Sequence, residues 1–146
     1  MKKALICFLS MLLLCGCKAN RTPPAIDTPP ASDKAVTFIN GVTDADVWIL
    51  PDTDANRKTS VWGTATASGV KTDESRQTPL CEAGENGLYL IRMIDADHIF
   101  YSADAVALQD GWTVRVAGAD LYSVTAEVTD GNGVVQNTYE VFAASL

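Results

Sequence analysis

Residues 122–142 read Tyr-Ser-Val-Thr-Ala-Glu-Val-Thr-Asp-Gly-Asn-Gly-Val-Val-Gln-Asn-Thr-Tyr-Glu-Val-Phe, and this stretch decides the fold class. From Tyr122 to Val128 apolar and polar residues alternate, the period that turns one face of a strand to a core. Asp130-Gly-Asn-Gly133 follows, made of residues that accept positive φ, as a tight hairpin requires. Val134 to Phe142 is then the returning strand.

The same punctuation runs back along the chain. Trp112-Thr-Val-Arg-Val116 alternates in the same way. Leu88 to Ile94 is the clearest strand, turned by Asp95-Ala-Asp97 into a partner over His98 to Ser102. Val106 to Leu108 is short and ends at Asp110-Gly111. Nearer the start, Ala35 to Asn40 is rich in β-branched and aromatic residues and stops at the turn dipeptide Asn40-Gly41. Asp46 to Leu50 is closed by Pro51, and a polar loop, Asp52 to Ser60, leads into Val61-Trp62-Gly63-Thr64-Ala65. Asp73 to Ser75 form a turn before a short strand over Arg76 to Cys81. No segment carries a helical stripe beyond two turns. About eight or nine short strands with turns every eight to twelve residues describe an all-β domain, a single antiparallel Ig-like β-sandwich over residues 34–146.

Those 113 residues are enough for one domain with its own core. Cys81 is their only cysteine, so no internal disulfide is available and packing must supply the stability. Eighteen acidic residues stand against eleven basic ones, two of which, Lys2 and Lys3, lie at the extreme N-terminus. With no basic run and no arginine–aromatic interleaving, nucleic acid is excluded as the expected partner.

The first residues carry an address. Lys2 and Lys3 precede an apolar run, Ala4 to Leu14, too short at about 16 Å to span a bilayer of about 30 Å, so residues 1–16 read as an export signal. Leu14-Cys15-Gly16-Cys17 resembles the lipobox of bacterial lipoproteins, with Cys17 as the modified thiol. The alternative target, Cys15, would put the bulky Leu14 where a small residue is needed. The resemblance implies cleavage before Cys17, acylation there, and a bacterial envelope location, on the outer membrane where there are two. Residues 18–33 hold Pro23, Pro24, Pro29 and Pro30 and read as an extended tether reaching up to about 50 Å.

Val47-Trp-Ile-Leu-Pro51, Trp62-Gly63, Tyr89-Leu-Ile-Arg-Met-Ile-Asp95 and Phe100-Tyr101 together resemble a domain of uncharacterised bacterial exported proteins, patterned LYISP…WG…YDIRLVDEDG…Y. This chain departs from the pattern in its longer loop between Pro51 and Trp62, in Leu90 for an aspartate, and in His98 for a glycine. The resemblance implies an exported β domain and supplies no catalytic residues.

Three sets of residues are candidates for chemistry. Asp52, Asp54 and Asn56 have the one-three-five oxygen spacing of a calcium loop, but Arg57 and Gly63 stand where an EF-hand needs its glycine and its bidentate glutamate. A looser Ca²⁺ site and plain turn chemistry both fit, and turn chemistry is preferred. Cys81 and His98 could be written as a nucleophilic pair, yet a lone strand cysteine is more often a small buried hydrophobe. Among the aromatics, Trp48 and Trp112 are expected in the core, while Trp62, after a polar loop, is the candidate for exposure and ligand contact. The expected function is therefore non-catalytic: a membrane-anchored domain binding a protein or glycan. A structural subunit of an envelope assembly, and a small carboxylate- or metal-dependent hydrolase, are the alternatives.

Overall fold

The computed structural model describes residues 33–84 and 86–146. Ten strands form two five-stranded sheets. They are β1 (Ala35–Gly41), β2 (Ala45–Pro51), β3 (Ala67–Val70), β4 (Ser75–Pro79), β5 (Tyr89–Asp95), β6 (Ile99–Val106), β7 (Thr113–Ala117), β8 (Thr125–Thr129), β9 (Val135–Glu140) and β10 (Phe142–Ser145). The first sheet has the order β4-β1-β7-β8-β9 and the second β10-β6-β5-β2-β3. The described residues form an all-β sandwich.

The alternating residues meet between the sheets. Val36, Phe38, Val114, Val116, Ala126 and Val128 from the first sheet face Val47, Ile49, Ile91, Met93 and Ala103 from the second, all buried. Each large side chain removed from water this way contributes about 1.5–3 kcal/mol. Trp112 is partly buried against this core, as its spacing predicts.

Several local expectations are revised. Asn40-Gly41 is not a hairpin turn: both residues stay in β1, opposite Val116 and Ala117 of β7. The turn comes over residues 42–44, and β2 enters the other sheet. Asn40 remains extended because its amide is fully buried and has work there, donating to Thr43 O (3.0 Å) and Val70 O (2.9 Å). β1 and β7 pair in parallel, the one departure from the antiparallel scheme, because the chain visits the second sheet between them.

The polar loop holds a short helix, α1 (Asp54–Lys58), whose first turn is capped by the Thr53 hydroxyl accepting Asn56 N–H. Val61–Ala65 forms no strand, and β3 begins at Ala67 instead. The final strand is two. Val141 is buried and donates its N–H to Val124 O, and on either side of it β9 belongs to the first sheet and β10 to the second. Val141 faces the core from a position where continued alternation alone cannot tell one sheet from the other.

Candidate functional site

The second sheet buries part of its outer face as well as its inner one. Leu90 and Arg92 point away from the sandwich core yet are 0% and 5% exposed. The strap of residues 52–66 crosses this face. Trp62 lies on it and stacks on Phe100 of β6, with centroids 5.5 Å apart and planes 11° from parallel. Trp48, on the outer face of β2, packs at 5.5 Å against Trp62 and donates its indole N–H to Gly63 O (3.2 Å). Gly63 has φ +69°, a left-handed conformation that turns the strap directly after Trp62. Thr66 closes it by accepting Ile49 N–H. Trp48 is thus half-buried under the strap, not in the central core, and Trp62 spends one ring face on Phe100.

At the start of the strap two ion pairs meet. Asp52, its side chain 3% exposed, accepts Arg57 Nε at 2.5 Å and Nη2 at 2.7 Å. That guanidinium bond holds the Asp52 carboxyl below the usual carboxylate range against the opposing cost of burial. Arg92 donates to Ile91 O and Ala103 O and pairs with Asp104 at 2.7 Å. Gly84 abuts the Asp52 backbone so closely that a Cβ there would collide with its carbonyl. The cluster pins the strap down.

The calcium trio does not converge. Asp52 serves Arg57, Asp54 is exposed and pairs with Lys58 at 3.5 Å, and Asn56 donates to Pro51 O. Among the described residues no group of three or more His, Cys, Asp or Glu side chains could hold a metal ion. Cys81 and His98 are also apart. Cys81 is half-buried beside the Tyr89 end of β5, where Tyr89 OH donates to its carbonyl, and His98 follows the other end, about 20 Å away at the rise of a strand. Burial pushes the Cys81 thiol up, which lowers its thiolate fraction. His98 occupies a turn at φ +61°.

An open cleft of about 590 Å³ lies at the same end as Tyr89, bordered by Lys34, Cys81, Tyr89, Leu108 and Asp110. Asp110 is engaged there, accepting Ala35 N–H at 2.8 Å. At the opposite end Asp95 is buried and accepts Tyr101 OH (2.7 Å), Ile99 N–H and Asp97 N–H. Burial, aided by that bond, drives the Tyr101 hydroxyl above its ordinary range. So Trp48, Trp62, Gly63, Arg92, Asp95 and Tyr101 are occupied in holding the strap and the β5–β6 turn.

Cys17 and the Pro-rich tether lie outside the described residues. The Arg92–Asp104 pair is not legible in the sequence: Arg92 sits in a strand that reads as plain core, and nothing local announces a partner twelve residues on. No protein-family model matches this chain, and no curated protein or solved structure is similar to it at a significant level.

Proposed function

We propose that the protein is a lipid-anchored bacterial envelope lipoprotein whose β-sandwich binds a partner without catalysing a reaction. Leu14-Cys15-Gly16-Cys17 carries this reading, because a thiol at that place after a short apolar run is what diacylglycerol transfer uses. Two or more acyl chains, at about 0.8 kcal/mol per buried methylene, hold a protein durably to a membrane. The tether of residues 18–33 then gives the sandwich room above the lipid. The separation of Cys81 from His98 and the engagement of Asp52 by Arg57 favour binding over hydrolysis, since each candidate group is remote from its helper or already committed. The test is Cys17→Ala in the native host. Fatty-acid labelling and membrane retention should both disappear, and labelling that persists would refute the anchor.

A further inference from the structure

We propose that the free edge of β10 takes up one extended, basic segment of a partner protein as a sixth strand of the second sheet. This rests on the tethered-binding function above and gives the partner's chemistry. In an antiparallel ladder, residues that exchange hydrogen bonds alternate with residues whose N–H and C=O point outward. Leu146 N–H donates to His98 O, which sets the phase between β10 and β6. Phe142 and Ala144 therefore bond β6, and Ala143 and Ser145 present their backbone groups to the outside. Among the described residues no hydrogen bond satisfies them.

The other three edges are blunted. On β4 the same phasing, set by Leu80 N–H to Lys34 O, turns Pro79 outward, and proline has no N–H to offer. On β3, Arg76 Nη1 takes Ser68 O and Asn40 Nδ2 takes Val70 O. On β9 the outward N–H of Thr138 is capped by Asn137 Oδ1 at 2.9 Å. β10 has no cap, proline or lysine, and its Ala143 and Ala144 side chains leave the backbone accessible. Such an edge is a template for strand addition.

The ground beside it is apolar. Phe142 is 65% exposed on the outer face, and its neighbour on that face, Ala144, pairs with Phe100 under Trp62. An incoming strand can lay an apolar side chain along Phe142. Charge selects the rest: residues 33–146 hold seventeen acidic groups and seven basic ones. A second copy fits poorly. It brings the same charge, and antiparallel pairing of β10 with itself would send the two Lys34 ends to opposite ends of the dimer.

The test uses the processed chain with a pool of hexapeptides in which Lys alternates with Val, Ile, Phe or Tyr, at about 1 mM. Amide hydrogen exchange is read over residues 141–146. Exchange at Ala143 and Ser145 should slow about tenfold, with no such effect on β9. Phe142→Ser should weaken the protection, and Ala143→Pro, which removes an outward N–H and leaves the β6 ladder intact, should abolish it at Ser145. Unchanged exchange, equal protection in Ala143→Pro, or equal protection by an N-methylated pool would overturn the proposal. So would protection without peptide that tracks dimer formation in sedimentation. Labelling at Cys17 is scored separately: an unlabelled chain that still binds the pool loses the anchor alone, and a labelled chain that does not bind loses the edge alone.

Discussion

The two long sides of the sandwich are built differently. On one side β3 and β4 are sewn together: buried Asn40 bridges from β1 to Val70 O, Arg76 reaches Ser68 O, and Lys71 and Thr72 grip Asp44. On the other side β9 and β10 share one residue of crossover, Val141, and one cross-link, the Tyr139 hydroxyl accepting Ala107 N–H at 3.0 Å. The difference teaches that a sandwich without a disulfide can concentrate its polar fastenings along one flank. The opposite flank is then left with unspent backbone groups.

Asn40→Ala should break the stitched side most severely. It strands two carbonyls and an N–H in a buried place, and urea unfolding should show a loss of about 3 kcal/mol. A loss under about 1 kcal/mol would mean that water replaces the amide and that the flank is not fastened there. Tyr139→Phe, its counterpart on the open side, removes one acceptor and should cost about 1 kcal/mol in the same assay. Were it to cost as much as Asn40→Ala, the two flanks would be equally fastened.

Acid sharpens the contrast. The Lys71 hydrogen bond to Asp44, and the Lys71 N–H and Arg76 bonds to Glu74, hold both carboxyls below their ordinary values of 3.8 and 4.5. Groups depressed on folding lend stability above their unfolded pKa and lose it as pH falls through the lower folded value. Protection against hydrogen exchange in β3 and β4, relative to the intrinsic rate at each pH, should therefore fall below about pH 4, ahead of β9, and a uniform fall would contradict this. The smallest effect on stability, within about 0.5 kcal/mol, is expected of exposed Asn137→Val. It uncaps Thr138 N–H, and light scattering should show more self-association than in the parent chain.

Most strands were legible because a sheet with one buried face writes its register into alternating residues, as in Trp112–Val116 and Tyr122–Val128. The Asn40-Gly41 dipeptide misled because its turn propensity is local, whereas the satisfaction of a buried amide by Thr43 and Val70 is not. Of the candidate site, Trp62 was visible as an aromatic after a polar loop. Its stacking partner Phe100 was not, since 38 residues separate them and nothing near either predicts the fold of the strap.

By itself the sequence determined the fold class, the lack of an internal disulfide in residues 34–146 and the charge, because hydrophobic period, cysteine count and composition are local properties of the chain. Only the tertiary structure decided that the last strand divides at Val141 between two sheets, that residues 52–66 lay Trp62 across the outer face of the second sheet, and that β10 has no strand paired to its outer edge among the described residues. Each of those depends on which distant backbone and side-chain groups satisfy one another, and pairing across the fold is a property no segment carries alone.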